Sequence, residues 1–128
     1  MRTTIAAAFA VMLAIFSTLA LAAEVPFDQA QFEAARSAGK PVAVVFHADW
    51  CPTCRAQAPL LKQLAQSPEL RPLTLYVANF DTEKALKKSL GVTNQSTIVV
   101  FKDGKERARS TGDTQRDSLA ELLHRAIS

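Results

Sequence analysis

The stretch of sequence that decides the fold and the chemistry of this chain reads Ala48-Asp49-Trp50-Cys51-Pro52-Thr53-Cys54. It lies between a short apolar run and a predicted helix, and it holds both cysteines of the protein. Two intervening residues let a disulfide close with one sulfur at the helix N-terminus and the other one turn further in. Free backbone N–H groups and the helix dipole favour a thiolate at the first position. The spacing therefore predicts Cys51 as a nucleophile and Cys54 as the thiol that resolves a mixed disulfide.

Three other interpretations of the two cysteines compete with redox chemistry. A purely structural disulfide across so short a loop would constrain the unfolded chain by only about 2 kcal/mol. A zinc site needs about four ligands, and besides the cysteines the chain offers only His47 and His124. Unused thiols are disfavoured in an oxidising compartment, where neighbouring thiols pair. Redox chemistry is therefore the favoured interpretation of the two cysteines.

Apolar runs and turn signals predict alternating helices and strands around this segment. The predicted helices cover residues 28–39, 51–66, 82–90 and 113–127, and the predicted strands cover 42–46, 73–79, 97–102 and 105–110. Asp103-Gly104 between the last two strands is a strong hairpin signal. Strands separated by helices, followed by a hairpin and a final helix, predict an α/β fold. We expect a central mixed sheet of about four strands with helices on both faces.

The N-terminus has the pattern of a secretory signal peptide. A charged start with Arg2, an apolar run from Ile5 to Phe16 and then Ala20-Leu21-Ala22 follow in the expected order. We expect cleavage after Ala22, which leaves a domain of residues 23–128. The alternative is an uncleaved membrane anchor, because the apolar stretch is close to the roughly 20 residues that span a bilayer. Both versions predict a periplasmic or secreted domain, where disulfides persist.

Size and charge narrow the class of protein. The 128 residues suffice for one domain with a core and are too few for two. A formal net charge of +3 does not favour nucleic acid or anionic lipid as a partner. No second folding unit or dimerisation segment is evident, so we expect a monomer.

The chain resembles the thioredoxin family over nearly all of residues 23–128. The matching positions are Phe46, Ala48, Trp50, Cys51, Cys54, Pro59, Asn79, Asp81, Gly91, Val92, Thr97, Phe101-Lys102-Asp103-Gly104 and Gly112. The resemblance implies a thioredoxin-like fold, reversible disulfide exchange with protein thiols and disulfides, and no organic cofactor. The redox centre would be the disulfide formed by Cys51 and Cys54.

A substrate groove is also expected beside the nucleophile. Trp50 offers a flat apolar ring to a substrate chain, and Pro52 suits the first helical turn because its missing N–H is not needed there. Thr53 follows it. The resemblance adds Gln95 and Ser96, whose backbone would face the substrate.

The chain departs from the family at Ser96, where thioredoxin-like proteins carry a cis-proline. The last proline of the chain is Pro72, so no other residue can take this role. A cis bond before serine would cost about 3 to 4 kcal/mol, and we therefore predict a trans bond. The change is either neutral drift, a changed substrate range or a more open face over the nucleophile. In this family, loss of that proline can also let the cysteine pair bind a metal or an iron–sulfur cluster.

The family's usual proton relay beneath the active site is also missing. Val45 and Val77 stand where thioredoxins have a buried Asp and Lys. His47 is a candidate for proton transfer, since an unperturbed imidazole titrates near neutral pH. The alternative is a partly buried packing residue.

The favoured function is that of a thiol–disulfide oxidoreductase. We expect it to act as a reductase or an electron carrier, with electrons supplied by a membrane partner. The small size and the absence of extra substrate-binding elements favour this direction. Two alternatives stay open at this point. One is a metal or iron–sulfur module that uses the same cysteines, and the other is a redox-inert interaction protein.

Overall fold

The computed structural model describes residues 23–128, and the predicted signal peptide lies outside this range. None of the helices in the described range is long and apolar enough to cross a membrane. In chain order the elements are β1 (Ala23–Pro26), α1 (Gln29–Ser37), β2 (Val42–His47), α2 (Pro52–Ala65), a 3-10 helix (Pro68–Leu70), β3 (Thr74–Asn79), α3 (Lys84–Leu90), β4 (Thr97–Lys102), β5 (Lys105–Thr111) and α4 (Arg116–His124).

The strands form one mixed sheet in the order β1-β3-β2-β4-β5. β1, β3 and β2 are parallel, β4 is antiparallel to β2, and β5 is antiparallel to β4. The turn between β4 and β5 has left-handed backbone at both Asp103, with φ 54°, and Gly104, with φ 77°. This is the geometry of a type I′ hairpin turn, so the hairpin predicted from these two residues is confirmed.

The sheet has five strands rather than about four, because β1 is added at one edge. β1 has only four residues and includes Glu24 and Pro26, so neither alternation nor an apolar run marks it in the sequence. It is held by parallel pairing with β3, from Ala23 opposite Thr74 to Pro26 opposite Val77. A proline is tolerated there because the strand lies at the edge.

Helices cover both faces of the sheet, as the sequence predicts. β2 is buried on both sides, which explains its continuous apolar run. One face packs side chains of β2 against α2 and α4, and its buried residues include Ala43, Val45, Leu61, Leu64, Leu119 and Leu123. The opposite face packs β2 against α1 and α3, and its buried residues include Val42, Val44, Phe46, Phe32 and Leu86.

The boundaries of α1 and α2 agree with the sequence prediction within two residues, whereas α3 begins two residues later than predicted and α4 is shorter at both ends. Asp28 caps α1 as predicted, with its side chain accepting a hydrogen bond from a backbone N–H of the first turn. The prediction that Asp113 or Thr114 caps the last helix is wrong, because α4 begins at Arg116 with Gln115 as its N-cap. The Asp113 carboxylate instead accepts the Gln115 N–H at 2.9 Å and closes the turn before the helix.

Candidate active site

The segment that contains both cysteines leads from the end of β2 into α2. In open α/β sheets, ligands bind beyond the carboxyl ends of parallel strands, and this is such a place. Cys51 is the N-cap of α2, with extended backbone, and Pro52 is the first residue of the helix. The Cys51 sulfur accepts the backbone N–H of Cys54 at 3.3 Å. The structure thus places the first sulfur at the mouth of the helix.

Both cysteines are free thiols and both are buried. Cys51 is 3% exposed and Cys54 is 1% exposed. They pack with Ala48 in a small apolar cluster against which Phe80 also lies.

The two thiols have opposite electrostatic environments. Burial raises the pKa of Cys51, but hydrogen bonds to its sulfur offset this and lower the pKa to about 7. The strongest of these bonds comes from the Cys54 backbone, and the side chains of Cys54, Ser96 and Gln95 add to it. Burial raises the pKa of Cys54 above its ordinary value, although the Ser96 hydroxyl opposes the shift. At neutral pH a large fraction of Cys51 is therefore thiolate while Cys54 keeps its proton.

Ser96 lies directly against both sulfurs. Its Oγ is 2.7 Å from the Cys54 Sγ and 3.7 Å from the Cys51 Sγ. The peptide bond before it is trans, as predicted, and its φ is +60°. This left-handed backbone is uncommon for a residue with a side chain and costs of order 1 to 3 kcal/mol. A residue held in that conformation at a reactive site indicates that the surroundings impose it.

A groove beside Cys51 brings together several of the residues expected there. It has a volume of about 210 Å³ and is lined by Cys51, Thr53, Asn94, Gln95, Ser96, Thr111 and Gly112. Pro52 is exposed on the first turn of α2. Trp50 is 57% exposed, and its indole N–H donates to the Asp81 carboxylate at 2.8 Å. This hydrogen bond restrains the ring, most of which stays accessible, and Trp50 does not line the groove itself.

The structure does not bring His47 to the sulfurs. Its Nε2 lies 2.9 Å from the Asp49 carboxylate, in the loop before α2. The ring lines a different pocket, together with Asp49, Val77, Ala78 and Asn79. Val45 belongs to the apolar cluster under α2, and Val77 packs against it. The positions of the family's relay are therefore apolar here.

Gln57 is a site residue that sequence reasoning missed. It is 1% exposed, on α2 one turn after Cys54. Its side-chain amide donates to the backbone carbonyl of Ser96 at 3.3 Å and to that of Asp113 at 2.9 Å. A polar residue three positions after the second cysteine, within the buried stripe of a helix, was the signal that could have revealed it.

Comparison with known proteins agrees with this geometry. The family model described as Thioredoxin matches residues 23–125. The chain belongs to the thioredoxin family. It is 38% identical over 82 residues to a thioredoxin of Chlamydia muridarum, covering 64% of this chain and 78% of that protein.

Solved structures of the thioredoxin family are similar as well. Trxlp from Edwardsiella tarda EIB202 is 38% identical with a TM-score of 0.76, covering 79% of this chain and 98% of that chain. The thioredoxin of Fasciola hepatica is 29% identical with a TM-score of 0.69, covering 81% of this chain and 99% of that one.

Membership of the thioredoxin family makes this protein a thiol–disulfide oxidoreductase. Thioredoxins act on protein disulfides and need no organic cofactor. Within residues 23–128, no group of three or more His, Cys, Asp or Glu side chains is arranged to hold a metal ion. Family membership favours the redox interpretation of Cys51 and Cys54 over the redox-inert interaction protein.

Proposed function

We propose that this protein is a periplasmic reductase or electron carrier, which passes two electrons from Cys51 and Cys54 to disulfides of exported proteins. The observation that carries the proposal is the placement of the two thiols at the mouth of α2. The Cys51 sulfur lines the groove, and the Cys54 sulfur lies behind it within the first turn.

This geometry supports a two-step exchange. The Cys51 thiolate attacks one sulfur of a substrate disulfide, which forms a mixed disulfide and releases the other substrate sulfur as a thiolate. Cys54 then loses its proton and attacks the Cys51 sulfur, which forms the Cys51–Cys54 disulfide and releases the second substrate sulfur. The substrate gains two electrons and the protein loses two. Trp50 supplies apolar surface for the substrate chain.

The pKa of Cys51 supports the reducing direction. A more stable thiolate stabilises the reduced protein, so its disulfide becomes a stronger oxidant. A strong periplasmic oxidant has a cysteine pKa of about 3.5 and a potential of about −120 mV, whereas thioredoxin has about 7 and about −270 mV. With a Cys51 pKa of about 7, this protein is expected at the reducing end of that range.

The location and the electron source are proposed from the sequence. Residues 1–22 have the order of charge, apolar run and small residues that directs export. A reductant that works in an oxidising compartment must be reduced again after each turnover, and we propose a membrane protein as the donor. The protein would act as a monomer.

A redox titration tests the activity and its direction together. The fluorescence of Trp50, the only tryptophan of the chain, is followed while the thiol–disulfide ratio of the buffer is varied. We expect one two-electron transition at a potential more reducing than about −180 mV. A more oxidising value would overturn the reductase proposal. Failure of Cys51 and Cys54 to form a disulfide in oxidising buffer would overturn redox function itself.

Insulin reduction and cell fractionation complete the test. The native protein is expected to reduce insulin disulfides in the presence of dithiothreitol, and Cys51→Ser is expected to lose this activity. When the full chain is expressed in a bacterium, the periplasmic fraction should contain a protein that begins at Ala23. Recovery of the full-length chain in the cytoplasm would contradict the proposed location.

A further inference from the structure

The resolving step requires a group that accepts the proton of the Cys54 thiol. Cys54 must lose its proton before its sulfur can attack, and burial raises its pKa. The two side chains at the family's relay positions, Val45 and Val77, are apolar and carry no proton. The His47 ring is hydrogen-bonded to the Asp49 carboxylate. The proton of Cys54 therefore needs another acceptor.

Ser96 is the polar side chain that the structure places on the Cys54 sulfur. It is itself buried, with 1% of its surface exposed. Its hydroxyl can accept from the Cys54 thiol at 2.7 Å and can donate towards the Cys51 side, where the sulfur is 3.7 Å away. A hydroxyl is both donor and acceptor, so one group can serve both sulfurs at once. A proline in this position could do neither.

The backbone holds the hydroxyl in this position. The N–H of Ser96 donates to the Phe46 carbonyl at 2.7 Å, a bond that proline cannot make. The Ser96 carbonyl accepts the N–H of Gly112 at 3.1 Å. These bonds join the left-handed residue to the end of β2 and to the segment after β5.

Gln57 adds the connection to the helix that carries Cys54. Its amide donates one hydrogen bond to the Ser96 carbonyl and another to the Asp113 carbonyl. A buried amide is unfavourable unless such bonds are made, and these two satisfy both of its N–H groups. Gln57 therefore ties the serine loop to α2, one turn below the sulfur that the serine contacts.

We propose that the Ser96 hydroxyl carries the proton of Cys54 to the departing substrate thiolate, and that Gln57 is the positioning residue that holds the hydroxyl in place. This inference rests on the proposed exchange reaction. The Cys54 S–H bond breaks as the Ser96 oxygen takes its proton, while the Ser96 O–H bond breaks as its hydrogen passes to the substrate sulfur beside Cys51. The Cys54 sulfur attacks Cys51 at the same time, so the Cys51–Cys54 bond forms as the bond between Cys51 and the substrate sulfur breaks. Serine ends unchanged, and the substrate leaves as a thiol.

The test separates the attack of Cys51 from the attack of Cys54. Reduced protein is mixed with a peptide disulfide, quenched with acid at intervals, and the dithiol, mixed-disulfide and Cys51–Cys54 forms are counted by mass spectrometry. Ser96→Gly removes the hydroxyl, and glycine tolerates the φ of +60° without strain. At pH 7 we expect the mixed disulfide to accumulate and its resolution to slow by about 10²-fold, the lower end of the range for general acid–base catalysis.

The pH dependence distinguishes proton transfer from a structural role. As the pH rises towards the pKa of Cys54, the thiol ionises without help, so the defect of Ser96→Gly should shrink. Cys51 also contacts Ser96, but in the mixed disulfide its sulfur is bonded to the substrate and does not titrate, so Cys54 is the thiol that titrates in this step. A defect that stays constant across the pH range, or a resolution rate within twofold of native at pH 7, would overturn the proposal.

The role of Gln57 is tested by a double-mutant comparison. Gln57→Leu keeps the serine hydroxyl but removes the hydrogen bonds from the Gln57 amide to the carbonyls of Ser96 and Asp113. Gln63→Leu, at an exposed position on the same helix, is the matched control. We expect Gln57→Leu to slow resolution, Gln63→Leu to leave it unchanged, and Gln57→Leu with Ser96→Gly to be no slower than Ser96→Gly alone. Multiplicative effects in the double variant would show that Gln57 does not act through Ser96.

The same experiment keeps the two proposals apart. If native protein never forms the Cys51–Cys54 disulfide from the peptide disulfide, the proposed function fails. If native protein forms it and Ser96→Gly resolves equally fast, only the role of Ser96 fails. Thermal denaturation of each variant confirms that the compared proteins are folded.

Discussion

Replacing Ser96 by the residue that the family normally carries should damage this protein. Proline fixes φ near −65°, whereas Ser96 has a φ of +60°. The substitution Ser96→Pro also removes the N–H that donates to the Phe46 carbonyl at 2.7 Å. The loop would have to rotate, and this rotation would also break its bond from Gln57.

The size of the effect follows from these contacts. The buried Phe46 carbonyl loses its partner, which costs about 1 to 3 kcal/mol, and loss of the Gln57 bond adds about 1 kcal/mol. We expect Ser96→Pro to lower the free energy of unfolding by about 2 to 4 kcal/mol in total. At about 4 °C per kcal/mol for a domain of this size, Tm falls by roughly 8 to 16 °C.

Ser96→Gly is the matched comparison for this substitution. Glycine keeps the backbone N–H and adopts a positive φ freely, but it lacks the hydroxyl. Relief of backbone strain and loss of the hydroxyl contact oppose each other, so we expect its unfolding free energy to stay within about 1 kcal/mol of native.

The assay is thermal and urea denaturation followed by circular dichroism. All variants are kept in dithiothreitol, so that a disulfide does not contribute to stability. The expected order is native and Ser96→Gly close together, with Ser96→Pro well below both. A Ser96→Pro protein as stable as native would show that the loop rebuilds at no cost, and the reasoning from the Ser96 backbone would be refuted.

Cys51, His47 and Asp81 can each be tested separately. Alkylation of reduced protein by iodoacetamide should label Cys51 with a midpoint near pH 7, because the folded pKa is depressed and the thiolate is lost as the pH falls through it, while Cys54 stays unlabelled until higher pH. His47→Gln should leave insulin reduction within about twofold of native, because the ring is hydrogen-bonded to Asp49 and lines a different pocket from the groove that Cys51 lines. Asp81→Asn should release the indole of Trp50 and change its fluorescence in the reduced protein, with a stability loss of about 1 kcal/mol or less, since a bond at an exposed site contributes little.

Each of these has an outcome that contradicts it. Equal labelling of both cysteines at pH 7 would contradict the asymmetry between the thiols. A tenfold loss of activity in His47→Gln would restore the imidazole as a proton-transfer group. Unchanged emission in Asp81→Asn would show that the carboxylate does not fix the ring.

Much of the fold could be predicted because its signals are local. A continuous apolar run from Val42 to Phe46 marks a strand covered on both faces, and Asp103-Gly104 specifies a turn that needs two left-handed residues. β1 could not be predicted because its stability comes from pairing with β3 rather than from its own residues. The start of α4 could not be predicted for a similar reason, since the Asp113 carboxylate closes the turn before the helix and the Asp113 carbonyl accepts from Gln57.

The residue pattern alone is enough to assign the family and to locate the cysteine pair. It also places Cys51 at a helix N-terminus, because a two-residue spacing followed by a helix produces that arrangement. The contact between the Ser96 hydroxyl and the Cys54 sulfur comes from the tertiary fold alone. Gln57, Ser96 and Asp113 lie far apart in the chain and meet only when β4, β5 and α2 have packed. Hydrogen bonds between such segments depend on distances of a few tenths of an ångström, which no local pattern of residues can encode.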